Sequence, residues 1–170
     1  MPANKNNTTI NPHSVILNMA DTDELSSDIP LKLFFRLYQA MNLSLRRAAE
    51  VLSEFDMSAQ QWSILDSLTR PGYEKGMTVN GLVEYLMVSR QSLNGVLRRM
   101  EESGYIERVV NPDDLRSRQI RLTPYGREVC KKVEPKVKKF YHDSVRHMTE
   151  EERVNSLNLL NQILGNMRKK

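Results

Sequence analysis

The chain has 170 residues, of which 27% are charged, with a formal net charge of +4 and a single cysteine. This length suits one domain or a small module with extended helices, and one cysteine excludes an internal disulfide framework. The N-terminus lacks a secretory signal and no run approaches the roughly 18 apolar residues that a membrane span needs, so we expect a cytoplasmic protein without a membrane partner.

The first 29 residues differ from those that follow. They hold one lysine against four acidic residues, a net charge of −3, so the positive charge belongs to the rest of the chain. Few large apolar side chains occur there, and we expect a flexible arm. From Pro30 onward, apolar residues recur at alternating steps of three and four, which predicts a long amphipathic helix. The stripe consists of Leu31, Phe34, Tyr38, Met41, Leu45, Ala48 and Leu52.

Short helices with clear start signals come next. Ser58 and Gln61 have the Ser-x-x-Gln form of a capping box and predict a second helix. Residues 70–76, RPGYEKG, predict a turn. Thr78 and Ser89 are the expected caps of a third helix (VNGLVEYL) and a fourth helix (RQSLNGVLRRMEES). Two short helices joined by a tight turn predict a helix-turn-helix.

Two alternating segments follow the fourth helix. Residues 105–110 and 118–123 are predicted antiparallel strands, with NPDDLRS at 111–117 as the turn between them. Thr123 before a proline starts another helix, and the Thr-x-x-Glu pattern at 149–152 caps a last one. The order of helices and hairpin predicts a winged helix-turn-helix.

The predicted fold class is therefore mainly α with a small β-hairpin: a winged helix-turn-helix plus a helical dimerisation region. We assign residues 1–29 to the arm, 30–56 together with 124–170 to the dimerisation region, and 57–123 to the winged helix-turn-helix. The apolar stripes of the outer helices have little in the chain to cover them. Self-association as a homodimer would cover them.

The fourth helix has two contrasting faces at 100° per residue. The predicted core face consists of Leu93, Val96, Leu97 and Met100. The opposite face holds Gln91, Asn94, Gly95 and Arg98, flanked by Arg90, Ser92 and Arg99. Arginine bonds the guanine edge and Asn or Gln bond the adenine edge in a major groove, and a glycine lets the backbone come close. An ordinary solvated face is the plainer interpretation. A winged-helix scaffold for protein contacts would instead show exposed apolar anchors.

The wing then carries a resemblance. Residues 114–118, Asp-Leu-Arg-Ser-Arg, reproduce the Asp-x-Arg-Ser-Lys/Arg signature of the MarR (multiple antibiotic resistance regulator) family. LTPYGREV at 122–129 and VSRQSLNGVLRRMEESGYIER at 88–108 also resemble that family, and the similarity runs from about Leu31 to the C-terminus. It implies a homodimeric bacterial transcriptional regulator that binds a pseudo-palindromic operator in double-stranded DNA. Most often such a protein is a repressor that a small aromatic effector releases.

The resemblance also implies roles for the charged residues of the wing. Arg116 would reach the minor groove or its phosphates, with Asp114 holding that arginine in place, whereas Asp113 belongs only to the turn. The candidate DNA contacts are Thr78, Ser89, Arg90, Gln91, Ser92, Asn94, Gly95, Arg98, Asp114, Arg116 and Arg118.

Trp62, the single tryptophan, has two interpretations. It packs in the core, or it forms a wall of an effector pocket together with Phe34, Tyr38, Arg46 and Asp66. Some relatives that respond to aromatic acids have an arginine one turn after the same Gln-Gln-Trp, where this chain has Asp66. An anionic effector would therefore need Arg46 or a neighbour for its charge. A regulator without an effector is the alternative.

Catalytic and metal chemistry lack sequence support. The chain has no P-loop, G-x-G-x-x-G, G-x-S-x-G or His-Glu-x-x-His pattern, and His142 and His147 miss the i, i+4 spacing of one helix face. Cys130 in EVCKK is expected to be a packing residue, although nearby lysines lower the pKa of some thiols. We expect no enzyme, no cofactor and no metal.

Overall fold

The computed structural model of the chain describes residues 28–111 and 114–168. Most of the predicted arm, and Asp113 of the predicted turn, lie outside the described residues. The elements are, in order, α1 (Ile29–Leu52), a 3-10 helix (Ser53–Phe55), α2 (Ala59–Leu68), β1 (Met77–Thr78), α3 (Val79–Leu86), α4 (Arg90–Glu102), β2 (Ile106–Asn111), β3 (Asp114–Leu122), α5 (Pro124–Ser144) and α6 (Glu150–Arg168). The predicted fold class is confirmed.

Local side-chain caps start the helices where the sequence predicts. Ser58 Oγ accepts a hydrogen bond from the Gln61 backbone N–H at 3.2 Å, and Gln61 Oε1 accepts one from the Ser58 N–H at 2.8 Å. This is the predicted capping box. The hydroxyls of Thr78, Ser89 and Thr123 likewise accept from the backbone N–H three residues later. Each cap satisfies an N–H that the first turn of a helix leaves without a partner.

The wing is a three-stranded antiparallel sheet with β3 in the centre, in the order β1-β3-β2. The two-residue strand β1 was not predicted, since two residues are too few to show alternation. The predicted turn at 111–117 was wrong, because β2 extends to Asn111 and β3 already begins at Asp114. The register of pairing shifts between Val110 and Asn111, so residues 115–117 of β3 form a bulge that has no partner on β2.

The chain divides into two compact units between Leu43 and Ser44, inside α1. Among the described residues of the second unit, one cluster of buried apolar residues is drawn from the end of α1, from α2 to α4, from the sheet and from α5 as far as Val137. Among its fully enclosed side chains are Leu52, Ile64, Leu65, Leu82, Leu93, Leu97, Met100, Ile106, Ile120 and Val133. The predicted domain boundaries at residues 29, 56 and 123 stay a prediction.

Two other stretches expose their apolar stripes. In the first unit, α1 exposes Leu31, Phe34, Tyr38 and Met41. In the second unit, α6 buries none of its described residues and exposes Leu157, Leu160, Leu164 and Met167. Within the described chain, no helix combines the length and the apolar character that crossing a membrane requires.

Candidate nucleic-acid interface

Helix α4 has one buried face and one exposed face. The buried side chains are the four that the helical period predicts, Leu93, Val96, Leu97 and Met100. The exposed residues are Gln91, Asn94, Gly95 and Arg98, together with Arg90, Ser92 and Arg99 at the flanks. The predicted orientation of α4 is confirmed, and its amides and arginines point away from the core.

Hydrogen bonds hold the flanks of this exposed face. Arg90 donates from Nη2 to Asn80 Oδ1 on α3. Gln60 Nε2 at the start of α2 donates to Ser92 Oγ in the first turn of α4 at 3.0 Å. Two neighbouring helices therefore support α4 at its N-terminal end, the end that enters the major groove in helix-turn-helix proteins.

The centre of the face is open. Arg98 pairs with Glu102 at 3.1 Å, but these side chains are 81% and 60% exposed, and such a surface pair contributes at most about 1 kcal/mol. A base edge can therefore replace Glu102 at small cost. A Cβ built on Gly95 would have Arg99 Nη1 as its nearest neighbour at 4.0 Å, so packing inside the protein does not require glycine there. An open backbone at Gly95 permits close approach of a partner.

The acidic group of the wing contacts the backbone. The predicted ion pair between Asp114 and Arg116 is absent among the ion pairs of the described residues. Asp114 Oδ1 instead accepts a hydrogen bond from the backbone N–H of Arg116 at 3.0 Å. The bulge at residues 115–117 brings that N–H within reach of the carboxylate. Arg116 and Arg118 both keep exposed side chains.

Thr78 differs from the other predicted DNA contacts because its side chain is half-buried. Thr78 pairs with Gln119 in the sheet, and its hydroxyl accepts a hydrogen bond from the Gly81 N–H at 3.0 Å. The structure thus uses Thr78 to join β1 to the start of α3. Its contact with DNA stays a prediction.

A cavity of about 500 Å³ lies among α2, α3 and α5. Trp62 from α2, Tyr85 from α3 and Tyr141 from α5 supply aromatic walls, and Leu86 and Val137 add aliphatic surface. Trp62 is only 7% exposed, so it packs in the core and lines the cavity at the same time. The core interpretation of the tryptophan is therefore confirmed, and its role in binding an effector stays a prediction.

Two ion pairs also line the cavity. Asp66 Oδ2 lies 2.5 Å from Arg70 Nη2, and Glu134 Oε1 lies 2.6 Å from Lys138 Nζ. The hydrogen bond to Asp66 and the charge of that carboxylate raise the pKa of Arg70. Burial, and then the charge of Asp66, raise the pKa of Tyr141. The cavity therefore combines aromatic surface with a permanently charged guanidinium whose side chain is 54% exposed.

The predicted ligand residues do not all meet there. Trp62 and Asp66 line the cavity, whereas Arg46 is exposed on α1 and is not among the lining residues. The positive groups that line this cavity are Arg70 and Lys138, and a role of Arg46 in binding an effector stays a prediction. Phe34 and Tyr38 belong to the first unit, where both are exposed.

Comparison with known proteins decides the family. A family model described as MarR family matches residues 55–117. The transcriptional activatory protein BadR of Rhodopseudomonas palustris is 36% identical over 139 residues, covering 81% of this chain and 79% of that protein. The chain belongs to the MarR family. It is a MarR-family transcriptional regulator with a winged helix-turn-helix, as the wing signature implied.

Two further relatives extend the MarR comparison. The multiple antibiotic resistance protein MarR of Salmonella typhimurium is 29% identical over 147 residues, covering 86% of this chain and 99% of that protein. Among solved structures, a mutant form of E. coli MarR complexed with operator DNA matches with a TM-score of 0.70 and 25% identity, covering 81% of this chain and 96% of that one.

Several residues around the cavity of this MarR-family chain were not predicted from the sequence. Arg70 carried a signal, since Trp62, Asp66 and Arg70 follow at steps of four, the spacing of neighbours on one helix face. Arg70 lies one turn beyond Asp66, the position at which some relatives have an arginine after Gln-Gln-Trp. Tyr85 and Tyr141 carried no signal, because they reach the cavity from separate helices.

Cys130 is buried in α5. Burial is the largest cause, ahead of the charges of Asp66 and Glu134, of a pKa raised to about 11. The thiol is therefore protonated at neutral pH and a poor nucleophile, which agrees with the expected packing role. Among the described residues, no group of three or more His, Cys, Asp or Glu side chains is arranged to hold a metal ion.

Proposed function

We propose that this MarR-family protein is a homodimer that binds a specific DNA sequence and regulates transcription. The observation that carries the proposal is the exposed face of α4, where Gln91, Asn94 and Arg98 stand together on the second helix of a helix-turn-helix. These groups match the edges of adenine and guanine in the major groove. Apolar anchors, which a protein-binding scaffold needs, are missing from the described residues of that face.

Arg98 is the residue we assign to base recognition. Its partner Glu102 is an exposed acid on the next turn, so the guanidinium can exchange that carboxylate for guanine O6 and N7. Arg116 in the wing is assigned to the adjacent minor groove or its phosphates, where a narrow groove strengthens the negative potential. One residue then reads sequence and the other holds the protein on the duplex.

Dimerisation is supported by the exposed apolar side chains of α6 and of the first half of α1. Exposed apolar patches of this kind mark surfaces that another chain covers. A twofold dimer presents two α4 helices to half-sites about one helical turn, roughly 34 Å, apart and therefore reads a pseudo-palindrome.

Selection of bound DNA from a random-sequence library tests this proposal. A pseudo-palindromic consensus is expected. On that consensus, Arg98→Ala should cost about 1 to 3 kcal/mol and relax preference at one base pair, whereas Arg116→Ala should weaken binding evenly across sequences. Arg47→Ala is the matched control, since Arg47 forms a similar exposed pair with Glu50 at 3.0 Å outside α4. Recovery of no consensus would reject sequence-specific binding.

We propose repression as the mode of regulation, because a dimer on an operator that overlaps a promoter blocks polymerase without any further contact. Activation is the second candidate, and the name of the R. palustris relative favours it, since BadR is described as a transcriptional activatory protein. Transcription in vitro from the promoter nearest to a bound genomic site separates the two. Repression predicts fewer transcripts on adding the protein, and activation predicts more.

We further propose a small aromatic acid as the effector, bound in the cavity beside Trp62. Its ring would pack between Trp62, Tyr85 and Tyr141, and its carboxylate would take Arg70 from Asp66. Release of DNA requires only that the acid bind more tightly to a dimer whose recognition helices are wrongly spaced.

The single tryptophan reports on this site directly. In a titration with a panel of aromatic acids, aldehydes and thioesters, we expect the acids to change the fluorescence of Trp62 and to release DNA. Arg70→Gln should remove the response to acids, while Arg46→Gln, the control, should keep it. If the whole panel left fluorescence and DNA affinity unchanged, the protein would be a regulator without an effector of these classes.

A further inference from the structure

Asn111 is a buried polar residue at the end of β2. Only 9% of it is exposed, and Ser67 is the one other polar residue that is buried among those described. Ser67 donates to Ile64 O of its own helix at 2.7 Å, a local bond. Asn111 instead bonds across the wing to β3. A buried amide with long-range partners restricts where those partners can lie.

The side chain of Asn111 bonds to the C-terminal end of the bulge in β3, and Ser117 continues these bonds to Asp114 at the other end. Its Nδ2 donates to Ser117 Oγ at 2.9 Å, and its Oδ1 accepts from Gln119 Nε2 at 3.1 Å. Ser117 Oγ in turn donates to the backbone oxygen of Asp114 at 3.1 Å, and Asp114 Oδ1 accepts from the Arg116 N–H at 3.0 Å. One continuous set of hydrogen bonds therefore encloses the segment that carries Arg116.

This set of bonds stands where the regular strand ladder is interrupted. Val110 pairs with Arg118 and Asn111 pairs with Asp114, so residues 115–117 have no counterpart on β2. Fixing the backbone of a residue in one conformation costs conformational entropy. Without other bonds, this part of the wing would have to lose that entropy to place Arg116 on DNA, so Arg116 would make its contact in only a fraction of the complexes and affinity would fall.

We propose that Asn111 is the positioning residue of the wing. It holds the bulge so that the backbone of Arg116 is already in place when DNA arrives, while the guanidinium itself stays exposed and makes no ion pair with another described residue. Asn111 acts through Arg116 and does not touch DNA. This inference rests on the proposed contact of Arg116 with DNA.

A double-mutant cycle between Asn111→Ala and Arg116→Ala tests the proposal, with affinity measured on DNA selected by the parent protein. Asn111→Ala is expected to weaken binding about tenfold, the factor that corresponds to the loss of about one charge-assisted hydrogen bond between Arg116 and DNA. In the Arg116→Ala background the same change should have less than about a twofold effect, because the positioned group is gone.

The salt dependence of DNA binding is a second measurement, and a purely structural role of Asn111 would leave it unchanged. Asn111→Ala and Arg116→Ala should each reduce the slope of log affinity against log salt concentration by about one phosphate contact. Val109→Ala is the control, since Val109 lies in the same strand and outside the hydrogen-bond set; its slope should equal that of the parent. Ser117→Ala removes one member of the set more gently and should repeat the pattern if Asn111→Ala unfolds the sheet.

The outcomes separate the inference from the proposed function. Equal losses for Asn111→Ala in both backgrounds, with an unchanged salt slope, would overturn the positioning role and leave the proposed function intact. If Arg116→Ala bound as tightly as the parent, the contact of the wing with DNA would fail, and the positioning role with it.

Discussion

Helices α4 and α6 both carry apolar stripes, yet the folded chain treats them in opposite ways. Helix α4 buries its four apolar residues in the core and exposes a polar face, whereas α6 buries none of its described residues. The stripe of α6, with Leu157, Leu160, Leu164 and Met167, is exposed. An apolar stripe therefore indicates that a surface will be covered, but it does not indicate by which chain.

The difference has a physical basis in the neighbours of each helix. Helices α2 and α3 and the sheet pack against α4, so residues of the same chain cover its apolar stripe. Burial of apolar area stabilises by about 25 cal/mol per Å², and an isolated helix is marginal in water without such packing. Among the described residues none buries the stripe of α6, and in the proposed dimer a second copy of the chain would supply that stabilisation.

The largest expected effect breaks the comparison at α6. The double variant Leu157→Asp with Leu160→Asp should weaken dimerisation by about 6 to 12 kcal/mol, because both protomers carry the change and each of the four buried leucines contributes about 1.5 to 3 kcal/mol. Sedimentation equilibrium over a concentration series measures this change. Leu157→Met with Leu160→Met keeps the apolar volume and is the control. A charged variant that sedimented like the parent would show that α6 is not the interface.

The second prediction concerns α4. Leu97 has no exposed surface, so Leu97→Ala should lower the free energy of unfolding by about 2 to 5 kcal/mol through lost burial and a new cavity. Urea denaturation measures it. The control Leu97→Met should cost less than about 1.5 kcal/mol. An unchanged midpoint for the alanine variant would mean that α4 does not depend on this core.

Cys130 lies in α5, part of which belongs to the same core as the buried face of α4. Its raised pKa of about 11 means that the folded state keeps the proton longer than the unfolded state, whose thiol has a pKa near the ordinary 9.0. The protonated Cys130 thiol therefore makes its full contribution to the free energy of unfolding below about pH 9, and this contribution is lost as the pH rises through about 11.

Between about pH 8 and pH 10 the parent should therefore lose about 1 kcal/mol more stability than Cys130→Ala, which has no thiol to ionise. Urea denaturation of both proteins at the two pH values measures the difference. Parallel pH profiles would show that the thiol is solvated in the folded state.

The smallest effect concerns strain in the turn between α3 and α4. Met87 has a φ of 54°, in the left-handed region, which costs a non-glycine residue about 1 to 2 kcal/mol. Met87→Gly should raise stability by about 0.5 kcal/mol, because the relief exceeds the greater unfolded-state entropy of glycine. Thermal denaturation measures the gain. Met87→Ala keeps the strain and should show none.

Prediction from sequence was accurate for the helix starts. Ser58, Thr78, Ser89 and Thr123 each cap a helix by bonding to an N–H three residues away, so the signal and its partner lie in one short window. The faces of α4 follow in the same way from the helical period. The contacts of these residues with DNA stay predictions.

Prediction was wrong where distant segments meet. Residues 114–117 were predicted as part of a turn, but Asp114 and Arg118 pair with β2, and the residues between them form a bulge of β3 that the bonds of Asn111 hold. The same bulge turned the Asp114 carboxylate toward the backbone of Arg116 and away from its side chain. The strand pairing has no signature inside one window of sequence, whereas the bond of Asp114 spans only two residues and is of the kind that Asp makes in local turns.

The sequence by itself determined the order of elements, the helix starts, the family and the polar face of α4, because caps, helical periods and motifs depend on residues a few positions apart. Only the tertiary structure decided which groups share the cavity beside Trp62. Arg70 there comes from just beyond the end of α2, Tyr85 from α3 and Tyr141 from α5, and their proximity arises from helix packing. Packing joins residues by distance in space, which separation along the chain does not encode.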